Sequence, residues 1–369
     1  MTGPDGPRSI LVALPNWLGD VVMASDLLGD LVAARDGAGR PYAIHVSVRR
    51  RWSPLVEGDP RLTGVHCYQR DGRHAGTAGL VRLAREWRRL GVDAVVLGPP
   101  SLRAALAARL AGIPVRVGEA TGGRSWLLTP PVATTRPPRS RHHADELRDL
   151  ASAVVAELGG TLPTPAPGDR SPRWPALEAI APRVLEPGPP LWVLAPGATY
   201  GPAKVWPVDN QAVWLRLAVG RCGRRVALTG DPQSRELASA LRARTADLPW
   251  HDAPTSGPGV VDLTGRTSLP ELIAWLRAAE AYVGNDSGVM HLSAALGLPT
   301  LGLFGSSSVT WTAPRGPRAL ALAADGFPCQ PCFRRECDQP RFCLETITAE
   351  RVVGILEQLL DRAPDGGAP

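Results

Sequence analysis

Between Val283 and Ser307 the chain reads VGNDSGVMHLSAALGLPTLGLFGSS, and its polar residues fall where an anion could be held. Ser287 and Gly288 are small enough to let a phosphate reach the backbone where a helix starts, and the first-turn N–H groups of a helix have no intrahelical partner. The stretch is therefore a candidate diphosphate cradle. A lone Asn-Asp-Ser-Gly would more simply be a helix start with Asp286 or Ser287 as N-cap. His291, five residues after Asp286, argues for more, although it also fits as a satisfied buried histidine. A second set of reactive side chains, Cys329, Cys332, Cys337 and Cys343, is spaced C-x2-C-x4-C-x5-C within 15 residues. Thiolates so close together suit zinc or an iron–sulfur cluster, or else form a reduced, locally packed loop. Cys67 and Cys222 read as ordinary buried cysteines.

Regular elements must hold these residues in place. Around the cradle the pattern predicts a strand ending at 281–283, a loop over 284–288, a helix over 289–296 closed by Gly297, and a strand over 299–304. Strand, loop, helix and strand in that order make a parallel-sheet unit. The same alternation runs through the first half: a strand over 10–14, the loop PNWLGD, a helix over 21–34, then strands over 42–48, 94–97 and 115–118 with helices over 80–90 and 101–110. Prolines crowd 161–190, with one short helix near 176–184. A second alternation then begins with strand 191–195, the loop PGATYGPAKVWP, helix 209–219, strand 225–228, helix 235–244 and helix 269–278. The expected organisation is a first doubly wound domain over 1–165, a Pro-rich linker over 166–190, a second doubly wound domain over 191–347, and a closing helix and tail over 348–369. Ligands of open α/β sheets bind outside the carboxyl ends of the strands. Asn16, Trp17, Gly19 and Asp20 from the first domain, and Thr199 to Lys204, Asp231 to Glu236 and Asp286 to His291 from the second, are thus expected to line one cleft.

At 369 residues the chain is long for one core and comfortable for two. Apolar residues make up 44% and charged residues 21%, which is ordinary for a folded, soluble class. No signal-peptide pattern and no membrane-spanning apolar run are present, so a cytoplasmic protein is expected. The net charge of +6 is spread along the chain and rests on arginine: of 41 Lys and Arg residues Lys204 is the single lysine. A lysine that survives such a bias is either chance or a place where a compact ammonium cannot be replaced by a planar guanidinium. Aromatic residues are 5% and the arginines are scattered, which argues against nucleic acid as a partner. The chain has no Asp-x-Asp pair, no dinucleotide glycine signature and no P-loop.

The segments ILVALPNWLGDVVMA, PGATYGPAKVWP and VGNDSGVMHLSAALGLPTLGLFGSS, in this order and spacing, resemble the bacterial lipopolysaccharide heptosyltransferases of glycosyltransferase family 9, and the tail CFRRECDQPRFCLETITAERV resembles their type II branch. The resemblance implies a GT-B fold of two Rossmann-like domains. It implies an inverting transfer from ADP-heptose, held by the second domain, to an anionic, lipid-linked inner-core acceptor met by the first at the cytoplasmic face of the inner membrane. Asp20 is then the expected general base, with an N-cap as its plainer role. Lys204 and the helix start at Ser287 and Gly288 are expected on the leaving diphosphate, with Thr199 and the backbone of 200–203 adding donors and no metal required. Asp286 and His291 would orient the donor, Glu236 would read the adenosine ribose, and Asn16, Trp17 and Gly19 would meet the acceptor. Arg85 and its helix neighbours, with Arg49 to Arg51, are expected to face the anionic acceptor or the membrane. A family 9 transferase using another nucleotide sugar or acceptor is the competing expectation.

Overall fold

The computed structural model describes residues 6–134, 137–163, 172–253 and 256–361. They form two compact units, one holding the chain up to 163 together with Pro172–Ala179, the other starting at Ile180. The first unit is a six-stranded sheet of β1 (Ser9–Ala13), β2 (Ala43–Arg49), β3 (Gly64–Tyr68), β4 (Ala94–Leu97), β5 (Val115–Glu119) and β6 (Pro131–Val132). Its order is β3-β2-β1-β4-β5-β6 and every pairing is parallel. The second is a seven-stranded parallel sheet of β7 (Leu191–Ala195), β8 (Arg225–Leu228), β9 (Trp250–His251), β10 (Gly259–Asp262), β11 (Ala281–Asn285), β12 (Thr300–Phe304) and β13 (Ala319–Ala323). Its order is β13-β12-β11-β7-β8-β10-β9.

The central strands β1, β4, β7, β8, β11 and β12 are buried along their whole length, as strands covered by helices on both faces must be. That is why they show in the sequence as unbroken apolar runs. The winding reverses between β1 and β4 in the first sheet and between β7 and β11 in the second. Those two places are the crevices where a doubly wound sheet takes its ligand. The loop after β1 carries Asn16 to Asp20, and the loops after β7 and β11 carry Thr199 to Lys204 and Asp286 to Ser287.

Several elements differ from expectation. The helix expected over 21–34 is two, Leu18–Met23 and Ser25–Ala33, meeting at Ala24. The helix expected to continue to Val219 leaves α geometry at Leu217 for a π turn over Leu217–Arg221. Strands β3, β10 and β13 and the helix His143–Glu157 were not anticipated. The Pro-rich linker is also shorter than 166–190. Trp174 is buried in the first unit and donates its indole N–H to Val22 O at 3.2 Å, and Arg173 N–H donates to Ser25 Oγ at 3.2 Å, so 172–179 is part of that unit. The remainder of the linker's first half, 166–171, lies outside the described residues. The closing helix Ala349–Asp361 buries Val352, Val353, Leu356 and Leu359 in the core of the second unit, against Trp214 and Leu215 of helix Val208–Arg216.

Candidate functional site

The loop after β7 is pinned at both ends by two buried amides. Asn285, the last residue of β11, donates from Nδ2 to Pro196 O (3.1 Å) and Gly197 O (3.2 Å) and accepts Trp206 N–H at Oδ1 (2.8 Å). Gln211 donates from Nε2 to Pro196 O (3.1 Å) and Trp206 O (2.6 Å). Buried donors make such closure specific, because leaving either amide N–H group unpaired would cost about 1–3 kcal/mol. The loop between those pins projects Lys204 onto the next loop.

There the Lys204 ammonium stands 2.6 Å from Asp286 Oδ2 and 5.0 Å from the centre of the Tyr200 ring. Asp286 Oδ2 also accepts from Thr312 Oγ1 at 3.2 Å, and its Oδ1 lies 3.8 Å from His291 Nε2. Burial of this carboxyl opposes its ionisation, but the nearby His291 and the Lys204 charge outweigh burial and hold it far below the usual carboxylate range. Asp286 is therefore an anion that keeps a lysine and a histidine in fixed positions at the switch point. It is not a helix cap: the N-cap position of helix Gly288–Ala295 is Ser287, whose side chain makes no cap bond. The first turn of this helix therefore has no side-chain cap on its N–H groups, which is the kind of helix start that can take an anion. Thr199 Oγ1 donates to Asp231 Oδ2 at 2.9 Å, and Asp231 also accepts from Ser234 N–H (3.1 Å) and Ser234 Oγ (3.0 Å). Glu236 is exposed on the first turn of the helix Ser234–Arg244 that Asp231 steadies.

In the first unit Trp17 occupies the N-cap position of helix Leu18–Met23, so Asp20 lies inside the first turn and is not the cap. This helix packs on the helix His143–Glu157. His143, at the start of the latter, has Nδ1 3.1 Å from Glu146 Oε2. Burial pushes the His143 imidazole down, but the Glu146 hydrogen bond and the charges of Asp20, Glu146 and Glu119 overcome it and raise it above the ordinary histidine range. The Asp20 charge is thus one of those that favour the protonated form of His143.

Asn16 is engaged at both ends: Tyr68 donates its hydroxyl to Oδ1 at 3.0 Å, and Trp52 donates its indole N–H to Asn16 O at 3.0 Å. Gly19 is buried and Trp17 is 53% exposed. Burial pushes the Tyr68 hydroxyl up against the opposing charges of Arg49, Arg70 and Arg51, and burial, with the like charge of Arg49, lowers Arg51. Arg49 is paired with Asp71 at 2.6 Å, while Arg51 lies over the Trp52 ring at 4.4 Å. Arg70, Asn16 and Tyr68 line one pocket. The basic face of helix Gly76–Leu90 is partly spent on its own unit, with Arg82 donating to Arg73 O and Arg88 to Ala111 O.

Among the described residues one trio of candidate metal ligands has donor atoms all within 4.8 Å, namely His66, His74 and Glu86. Its wiring does not suit a metal. His74 Nδ1 accepts the Gln69 backbone N–H at 3.0 Å, so the ring proton sits on Nε2 and is donated to Glu86 Oε2 at 2.8 Å. His66 Nε2 meets the same oxygen at 2.8 Å. Burial disfavours the Glu86 anion, but the bonds from His66 and His74 outweigh it and hold its carboxyl below the usual range. The trio is a hydrogen-bond hub that ties β3 to helix Gly76–Leu90.

The family model for glycosyltransferase family 9 (heptosyltransferase) matches residues 80–342. The chain belongs to glycosyltransferase family 9. Lipopolysaccharide heptosyltransferase 2 of Escherichia coli K12 is 27% identical over 324 residues, which is 85% of this chain and 87% of that protein. The solved structure of E. coli ADP-heptose LPS heptosyltransferase II superposes with a TM-score of 0.70 at 25% identity, covering 96% of this chain and 98% of that one. A family 9 glycosyl transferase from Veillonella parvula superposes with a TM-score of 0.74 at 21% identity, covering 96% and 97%. The fold of this family 9 glycosyltransferase is GT-B, two Rossmann-like parallel-sheet units.

In this transferase the side chains on the motif loops show in the sequence, and those that hold the loops do not. Asn285, Gln211 and Thr312 escaped notice because a single buried amide or hydroxyl carries no local pattern. Asn285 did sit inside the quoted Asn-Asp-Ser-Gly, and its position at the buried end of a strand was a usable signal. His143 and Glu146 were missed with the helix that carries them.

Proposed function

We propose that this transferase moves L-glycero-D-manno-heptose, with inversion, from ADP-heptose to the inner core of nascent lipopolysaccharide, as a heptosyltransferase II. The reading rests on the Lys204–Asp286–His291 arrangement at the switch point of the second sheet, beside an uncapped helix start, in a chain related along most of its length to heptosyltransferase 2. The acceptor hydroxyl gives its proton to Asp20 as its oxygen attacks the anomeric carbon, and the bond to the diphosphate breaks on the opposite face. Lys204 and the N–H groups behind Ser287 and Gly288 take the charge that leaves with ADP. Asp286 and His291 fix that geometry, Thr199 borders it, and Glu236 is the acidic residue available to the adenosine ribose. Asn16, Trp17 and Gly19 border the acceptor.

Purified protein offered ADP-heptose and heptose-deficient lipopolysaccharide should add one heptose mass to the acceptor. Extension from a different nucleotide sugar, with ADP-heptose inert, would replace this reading by that of a family 9 transferase of other specificity.

The acceptor side of the reading leans on the arginines around Tyr68. No helix among the described residues is long and apolar enough to cross a membrane, so a lipid-linked acceptor would be met from the cytoplasmic surface by charge. Arg51→Ala and Arg70→Ala should raise the acceptor KM several-fold at low salt and much less at high salt, since exposed charges act over a Debye length of ~8 Å at physiological ionic strength. The donor KM should stay put. A donor KM that rises while acceptor use is unchanged would remove these arginines from the acceptor site.

A further inference from the structure

No three of the sulfurs of Cys329, Cys332, Cys337 and Cys343 lie within 4.8 Å of one another, so among the described residues that segment is a packed loop of free thiols. The side chains gathered that closely are His66, His74 and Glu86, and they stand beside the crevice of the first sheet. His74 lines the same pocket as Asn16, Tyr68 and Arg70. An ionised Glu86 can only accept, so both imidazoles must present an N–H to its Oε2, and their Nδ1 atoms are left as acceptors. The Ser47 hydroxyl, 3.0 Å from His66 Nδ1 and itself receiving the Trp87 indole N–H at 3.1 Å, serves the first of these. The Gln69 N–H, at 3.0 Å, serves the second on His74.

That second bond does more than satisfy a ring nitrogen. The His74 backbone N–H donates to Gln69 O at 3.0 Å, so a single residue, by its ring and its main chain, closes both ends of the loop 69–74 that carries the exposed Arg70. The surroundings leave His74 no room to shift. Its carbonyl accepts from Arg103 at 2.5 Å, and a Cβ on Gly79 would fall 2.1 Å from its carbonyl carbon. Its ring meets the Tyr68 ring edge-on, with centroids 6.3 Å apart at 87°, and the Tyr68 hydroxyl is the group that holds Asn16. A line of contacts therefore runs from Glu86 through His74 to Arg70 and Asn16, the two side chains placed at the acceptor.

We propose that His74, held by Glu86, is a positioning residue of the acceptor crevice: it fixes the loop that presents Arg70 and braces the hydrogen bond between Tyr68 and Asn16. The inference rests on the reading of that crevice as the acceptor's. Glu86→Ala removes the acceptor of both ring protons and should raise the acceptor KM by roughly three- to tenfold, the scale of one net hydrogen bond, with the donor KM within about twofold of the parent. Glu86→Gln keeps an oxygen in place and should recover most of that rise. A merely structural role would lower the amount of active enzyme, so that kcat fell while both KM values held. In an Arg70→Ala background Glu86→Ala should raise the acceptor KM by less than it does alone, because part of its effect travels through the loop that carries Arg70. Equal steps in the two backgrounds, or an acceptor KM that Glu86→Ala leaves unmoved, would overturn the proposal. The native chain offers a readout that needs no sugar transfer. Ring 15N–1H correlations should show His66 and His74, two of its seven histidines, as neutral Nε2–H tautomers. A His74 proton on Nδ1 would overturn the proposal whether or not the variants fold. Should the parent transfer no heptose, the acceptor reading fails by itself, and the tautomers still test the hub.

Discussion

Asp20→Asn should fold normally, bind ADP-heptose with parental affinity and lose turnover by on the order of a hundredfold or more, the usual contribution of a general base. The amide is nearly isosteric with the carboxylate but cannot accept the acceptor's proton. Because Asp20 sits inside the first turn of its helix with Trp17 at the cap, the substitution removes no capping bond. Any loss of stability should come from the charge facing His143 and not from the helix start. Donor affinity should be untouched for a separate reason: every group placed on the donor belongs to the second unit. The acid limb of the kcat/KM profile, which reports the free enzyme's base, should vanish with the carboxylate. Turnover within about threefold of the parent would return Asp20 to the role of a charge partner for His143.

The fold was legible wherever a strand is buried on both faces. Runs such as LWVLA and TLGLF have no other reading in a chain with this alternation, and β4, β7 and β8 begin and end where the sequence placed them. β3 was not legible, because GVHCY is only partly buried and its His66 faces a hydrogen-bond hub that lies elsewhere in the chain. The helix His143–Glu157 was readable in principle. Leu147, Leu150, Ala151, Val154 and Val155 recur at helical spacing on its buried side, behind an opening turn of histidines and acids that reads as a polar loop. Function divided the same way. Ser287, Gly288 and Lys204 stand out through local sequence, whereas Asn285 and Gln211 act on carbonyls at Pro196 and Trp206 that only the folded sheet brings to them. Part of the basic helix face is engaged at home for a physical reason, since the main-chain oxygens that Arg82 and Arg88 satisfy are invisible in a pattern of charges.

Lys204→Ala carries the other large expected effect, and the pairing with Asp286 makes it two effects that must be told apart. Removing the ammonium leaves a buried carboxylate with only Thr312 and His291 beside it, which should lower stability by on the order of 2 kcal/mol, less than for a fully enclosed pair because the lysine is 17% exposed. If Lys204 also meets the leaving diphosphate, turnover should fall by roughly ten- to a hundredfold through loss of a charge-assisted contact of about 1.5–3 kcal/mol. Lys204→Arg keeps the charge, yet it should be impaired too. The ammonium is held between Asp286 and the Tyr200 ring, and Arg335 already lies over that same ring at 5.5 Å, so a planar guanidinium would meet another guanidinium. The deciding variant combines Lys204→Ala with Asp286→Asn. Neutralising the stranded carboxylate should recover most of the lost Tm, because the stability deficit comes from an unpaired buried charge. It should not recover turnover, because the amide supplies nothing to a departing ADP, and the deficit should appear in kcat as well as in donor KM if the contact strengthens as the bond breaks. A double variant that regains both Tm and turnover would mean that Lys204 serves Asp286 alone and that the phosphate site is built from backbone donors.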